Sequence, residues 1–196
     1  MKPVALSLLL LGTALLALAV APHPTADADP VVGNVHSKLR VIVYQDLECP
    51  DCARWHQVFN SHIIPQFGRQ VAFEFRDFPL PQHLWSFNAA VLARFFDTHS
   101  LKLGMAWRDY CFTHQDALTP DNLMDTAARW AHTSGITRAQ LASAFSNAEL
   151  FARVQADQRR GIQDNVQHTP TVLFEGVEAS TPQQLELRLA QALAAH

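Results

Sequence analysis

The chain has 196 residues, room for one domain of ordinary size or two very small ones. Hydrophobic residues make up 48% and charged residues 17%, which excludes a disordered, low-hydrophobicity chain. A formal net charge of -3 argues against a basic nucleic-acid-binding surface, and only 3 cysteines and 7 glycines exclude a dense disulfide scaffold and a collagen-like repeat.

Part of the apolar content sits in one block. From Val4 to Ala21 no side chain is charged and leucine and alanine dominate, behind Lys2 and the terminal amine. A basic start, an apolar middle and small-x-small exits at Ala17-Leu18-Ala19 or Ala26-Asp27-Ala28 predict a signal peptide over 1–21. The rival is a retained N-terminal anchor, because about 18 apolar residues are just enough to span a bilayer. Either fate delivers the rest of the chain outside the cytoplasm, in the periplasm or beyond, and only the retained anchor holds it at a membrane. Residues 22–36 contain three prolines and no periodicity, and are expected to be a linker.

Leu39–Tyr44 is a short β-branched run, read as a buried strand. Pro50–Phe67 has helical spacing, with Cys52, Trp55, Phe59 and Ile63 on one face, and Pro65 is expected to end or kink it. Val71–Phe75 alternates at period two, a second strand, after which Pro79 and Pro81 break the pattern. Helices follow over about 83–162: a stripe of Leu84, Phe87, Val91 and Phe95; a start at Thr119-Pro120; a capping box at Thr137-x-x-Gln140; and a stop at Gly161. Thr171–Phe174 is a late strand, Glu175-Gly176 a turn, Val177–Ala179 a short strand, and Thr181-Pro182 opens a last helix with Leu185, Leu189 and Leu193 inward. The order β-α-β, helices, β-β-α implies one α/β domain over residues 37–196 with a helical insertion between its halves.

Chemistry concentrates at Cys49-Pro50-Asp51-Cys52, where a strand gives way to a helix. Unpaired N–H groups and the positive dipole end of a helix N-terminus lower a thiol's pKa, and two intervening residues bring the second sulfur one turn on, within disulfide reach. Such a pair suits dithiol–disulfide exchange, the first cysteine attacking and the second resolving. A metal-binding or metal-delivery module built from Cys49, Cys52 and His56 is the alternative, although no second CxxC or HxxxH completes a four-ligand set. A further alternative keeps the fold as a non-catalytic binding protein.

Together with His168-Thr169-Pro170-Thr171 before the late strand, these residues resemble the DsbA-like branch of the thioredoxin-fold thiol–disulfide oxidoreductases. The resemblance is carried by Tyr44–Cys52 (YQDLECPDC), Phe75–Leu80 (FRDFPL), the helical block and His168–Gly176 (HTPTVLFEG). It implies a thioredoxin fold and catalytic Cys49 and Cys52. It further implies a cis Pro170 facing them, with Thr169 shaping the contact to substrate. The implied partners are cysteine-bearing proteins and a membrane or periplasmic redox protein, with no organic cofactor, no metal and no nucleic acid. The direction of electron flow stays open between oxidase, reductase and isomerase.

Departures from the branch bear on tuning. Strong oxidants of this kind carry histidine where this chain has Asp51, and Asp51, Glu48 and Asp46 are expected to oppose a thiolate at Cys49. His168 replaces a glycine often seen beside the cis-proline. The buried acid that thioredoxins place six residues before the first cysteine is Val43 here, leaving Asp46 as a candidate proton acceptor for Cys52. Cys111 (WRDYCFTHQ) is read as a buried, inert thiol.

Overall fold

The computed structural model describes residues 29–195, so the apolar N-terminal block, read as signal peptide or anchor, lies outside the described residues. Among the described residues a five-stranded sheet has the order β1-β3-β2-β4-β5. Its centre is β2 (Arg40–Gln45), parallel to β3 (Ala72–Asp77) and antiparallel to β4 (Thr171–Phe174). The register places Val41 beside Phe73 and Phe174, and Val43 beside Phe75 and Val172. Successive strand residues point to opposite faces, so these six side chains form one apolar layer. Phe59, Ile63 and Phe67 cover it together with Leu185 and Leu189. Leu185 and Leu189 belong to α8 (Pro182–Ala194), where Thr181 accepts from Gln184 N–H as the N-cap. The short β5 (Val177–Glu178) follows a turn in which Glu175 and Gly176 both have positive φ, 52° and 73°.

The expected linker over 22–36 holds a strand. Val31–Gly33 form β1, antiparallel to β3, and Phe75 N–H donates to Pro30 O. Three prolines masked it in the sequence; the open edge of β3 supplies the ladder that the segment's own composition does not advertise. A second difference concerns Pro65. The helix from α1 (Pro50–Val58) runs on through a π-turn (Phe59–Ile63) into α2 (Ile64–Phe67). Ile64 N–H reaches back to Phe59 O, and this wider turn places the donorless Pro65 in the first turn of the next α segment, where no intrahelical donor is required.

The insertion comprises α3 (Ser86–His99), α4 (Leu101–Thr113), α5 (Leu123–Ala131), α6 (Arg138–Ala144) and α7 (Ala148–Gln163). It builds its own core around Trp107, Phe96, Leu92 and Leu141, and that core extends to Leu47, Cys49 and Cys52. The cysteine pair therefore sits on the seam between sheet and insertion. Thr137 and Gln140 form the expected capping box at α6. Of the expected stripe, Val91 is fully buried and Phe87 and Phe95 pack against the insertion's core, but Leu84 is 72% exposed and precedes α3, whose deepest side chains also include Ala89, Ala93 and Phe96. Thr119 instead shapes a turn, its hydroxyl accepting from Asn122 N–H, and α5 begins at Leu123.

Gly161 does not end its helix, which continues to Gln163. Its role is space: a Cβ there would stand 2.5 Å from Phe78 Cε2 and 3.2 Å from Tyr44 Cε1. Relief of glycine's helix penalty would by itself favour a substitution by about 1 kcal/mol. Overpacking costs about 1–3 kcal/mol, and Gly161→Val, a poor helix former that adds two methyls beyond the Cβ, is expected to be destabilising by about that amount in urea unfolding. A neutral result would show that Phe78 swings clear.

Candidate active site

β2 ends at Gln45, the chain turns through Asp46, Leu47 and Glu48, and Cys49 becomes the N-cap of α1 with extended φ/ψ of -77° and 122°. Pro50 occupies the first helical turn, where its missing N–H has no intrahelical duty and its ring fixes φ. Ala53 N–H donates to Cys49 O at 3.1 Å, the first hydrogen bond of the helix. The sulfurs are thus held at the positive end of α1, both as free thiols; Cys49 is 5% and Cys52 2% exposed.

The late loop closes over them. The Thr169–Pro170 bond is cis, and Cys49 Sγ lies 3.2 Å from Thr169 O. The Thr169 hydroxyl is buried and makes no hydrogen bond among the described residues, so it is available to an anionic sulfur. Below, Asp46 N–H faces Cys52 Sγ at 3.3 Å. The two thiols are consequently unlike. A hydrogen bond from Cys52, more than any other cause, lowers the Cys49 pKa to about 6, against burial and with help from the Thr169 side chain. Cys52 is pushed well above the ordinary thiol range, first by burial and then by its bond to Cys49.

Of the three carboxylates expected to oppose the thiolate, Asp46 does so through its charge. Glu48 turns away, accepting from Trp85 N–H at 2.8 Å and Ser86 N–H at 3.1 Å at the start of α3, and Asp51 pairs with Arg54 on the surface. Asp46 is 1% exposed, and its carboxylate accepts from Glu48 N–H at 2.8 Å and Leu80 N–H at 2.7 Å, with His83 Nδ1 at 2.6 Å. His168 lies beside Glu178, 3.3 Å away.

The metal-binding alternative does not assemble. His56 Nε2 is 3.0 Å from Asp109 and 2.9 Å from Asn60, its ring packs on Phe112, and no metal-capable group of three or more ligands occurs among the described residues. Cys111 is fully buried in α4, and burial pushes its thiol up. Two contacts escape a sequence reading. His83 follows a proline-rich break with no periodic signal, and Gln115, after α4, donates through Nε2 to Leu47 O and Cys49 O, each at 2.9 Å. Beside the cysteines an open groove of about 390 Å³ is lined by Arg54, Trp55, Val58, His168, Pro170 and Pro182.

Comparison with known proteins agrees with this arrangement. The profile of the family described as Thioredoxin matches residues 25–192. Among solved structures, BdbD from Bacillus subtilis in its oxidised form superposes with a TM-score of 0.71 at 20% identity, covering 88% of this chain and 96% of that one. The catalytic domain of Proteus mirabilis ScsC gives 0.70 at 20% identity, covering 86% and 90%, and Wolbachia pipientis alpha-DsbA1 gives 0.67 at 16% identity, covering 88% and 92%. A curated relative, the Na(+)/H(+) antiporter NhaA of Herminiimonas arsenicoxydans, is 25% identical over 166 residues; the match takes in 84% of this chain and spans a quarter of that protein's length. No helix among the described residues is long and apolar enough to cross a membrane. The chain belongs to the thioredoxin family and has the DsbA-like form of its fold, with a helical insertion between the two halves.

Proposed function

We propose that this chain is an extracytoplasmic thiol–disulfide oxidoreductase that exchanges the Cys49–Cys52 pair with cysteines of protein substrates. The observation that carries the reading is the asymmetry of the pair: Cys49, at the helix N-terminus and 3.2 Å from Thr169 O, is the acidic thiol, and Cys52 behind it is the protonated one. Starting from the disulfide, a substrate thiolate attacks Cys49 Sγ, the Cys49–Cys52 bond breaks, and Cys52 departs and takes a proton. A second substrate thiolate then attacks the substrate sulfur of the mixed disulfide and releases Cys49 as thiolate. The substrate loses two electrons and the protein gains them; the reverse sequence reduces a substrate. Sulfur carries both electrons, so the chemistry requires a redox partner protein to reset the pair and no organic cofactor.

The groove lined by Trp55, Val58 and Pro170 supports an extended peptide lying beside the sulfurs. The apolar block Val4–Ala21 supports export, with a membrane or periplasmic protein as the resetting partner. Asp46 and its His83 partner are the candidate tuning and proton-accepting groups behind Cys52. Asp51, Glu48 and His168 face other partners and are assigned weaker tuning roles.

A Cys49 pKa of about 6 falls between the extremes of about 3.5 and about 7 that accompany strongly oxidising and strongly reducing pairs of this fold. The couple is accordingly expected to titrate against glutathione between about -120 and about -270 mV. Alkylation of the reduced protein is expected to rise with pH through about 6 and to modify Cys49 alone. A potential at the strongly oxidising end would overturn the expected intermediate poise, and a rise only near 9 would overturn Cys49 as the acidic thiol. The sign follows from linkage: between about 6 and the ordinary thiol value near 9, the unfolded chain binds a proton at Cys49 that the folded chain does not. The reduced form therefore gains stability as pH rises across that window, and loses it as pH falls through about 6. Above it, the retained Cys52 proton acts in the opposite sense.

A further inference from the structure

The loop before the nucleophile is attached to the helical insertion at three consecutive residues. Leu47 and Cys49 bury their side chains in the insertion's core, and between them Glu48 reaches the first N–H groups of α3. One side chain spans the same tripeptide from the other side: the Gln115 amide nitrogen donates both hydrogens, one to Leu47 O and one to Cys49 O. Gln115 opens a single 3₁₀ turn, Gln115–Ala117, directly after α4, so its position is fixed by an element packed on α1 and α3.

Cys49 O is the acceptor of the first hydrogen bond of α1, and the sulfur of the same residue lies 3.2 Å from Thr169 O. A planar amide with both hydrogens engaged locks the relative orientation of the two carbonyls across Glu48. It also turns its positive end toward the backbone beside the sulfur, where the Asp46 charge and the buried Cys52 thiol already oppose or share the thiolate's charge. Without it Leu47 O loses this donor and Cys49 O keeps only the Ala53 N–H, so the backbone beside the anion is less ordered.

We propose that Gln115 is a positioning residue for thiol–disulfide exchange: through its side-chain amide the helical insertion fixes the backbone around Cys49 and favours the attacking, anionic form of that sulfur. The proposal rests on Cys49 as the attacking thiol and assigns the insertion a part in the reactivity of a pair that the sheet and α1 alone would otherwise set.

Gln115→Met tests it, because methionine nearly matches glutamine in shape and donates nothing; Gln115→Ala, which opens the position to water, is the second variant. Each is purified reduced and oxidised, and thiolate absorbance is followed against pH beside Cys49→Ser. In Gln115→Met the titration midpoint is expected to rise by about half a pH unit, a roughly threefold loss of thiolate at fixed pH below it. The redox equilibrium with glutathione is expected to move toward the disulfide by a similar factor, because the reduced form alone carries the thiolate. Equal destabilisation of both redox forms, with midpoint and glutathione equilibrium unchanged, would make Gln115 merely structural and overturn the proposal. If the wild-type titration persists in Cys49→Ser, the assignment of the nucleophile fails instead, a result separable from the first.

Discussion

Cys49→Ser is expected to remove disulfide exchange with a model dithiol or disulfide peptide by about three orders of magnitude or more, the scale on which loss of a nucleophile acts. Cys52→Ser should behave differently. Its Cys49 can still attack, but with no resolving thiol the mixed disulfide accumulates and appears as a mass adduct on Cys49 that reductant releases. The contrast follows from burial: Cys52 lies behind Cys49 with a raised pKa, and a substrate arriving along the Trp55 groove meets Cys49 first. If Cys49→Ser were the variant that trapped substrate, the two roles would be reversed. Cys111 serves as an internal control, since its full burial predicts no adduct in either variant.

The largest expected effect on stability comes from a residue outside the site. Arg94 of α3 is fully buried, with Nε 2.6 Å from Asp77 at the end of β3 and Nη2 on Asp157 of α7. Arg108 of α4 lies 3.2 Å from Asp77 and 2.9 Å from Asp97, and Arg160 of α7 pairs with Asp157 and, at 2.8 Å, with Asp29. Asp157 also accepts from Asp77 N–H at 2.8 Å. These charges join the sheet to three helices of the insertion. Burial works to raise the Asp77 pKa, and the two guanidiniums outweigh it and hold the carboxyl ionised. Removing Arg94 strips one of two guanidiniums from both Asp77 and Asp157 at once and leaves each buried carboxylate with a single cation, a loss on the scale of breaking a buried pair, about 3–5 kcal/mol. Arg94→Met is therefore expected to lose about that much in urea unfolding, whereas an exposed pair such as Arg138 with Asp125 should matter by about 1 kcal/mol or less. A loss below about 1 kcal/mol for Arg94→Met would mean that Arg108 suffices to hold Asp77 and Arg160 to hold Asp157.

Local signals in the chain were legible where the physics is local. The β-branched run Thr171–Phe174 is a strand, Thr137 and Thr181 cap the helices they precede, and the Cys49–Cys52 spacing places both sulfurs on the first turn of α1. What could not be read was the long-range destination of polar side chains. Glu48 looks like one of three acids crowding a cysteine, yet it accepts from the start of a helix that begins 38 residues later. Asp46 meets a histidine 37 residues away, and Gln115 reaches back 66 residues to Cys49. Gly161 and Pro65 have strong local preferences that packing overrides: the glycine admits Phe78, and the proline is accommodated by a π-turn. Val31–Gly33 became a strand because β3 had a free edge, a fact about a partner rather than about those three residues.

That edge has a consequence for a protein proposed to exchange disulfides with client proteins. A long, open border of backbone donors and acceptors would recruit such clients as extra strands and seed aggregates. Here the two borders end in β1, three residues long, and β5, two residues long. Neither offers a client a ladder as long as β2 or β3, which leaves the groove at Trp55 and Pro170 as the place proposed for a substrate, next to the sulfur that must release it.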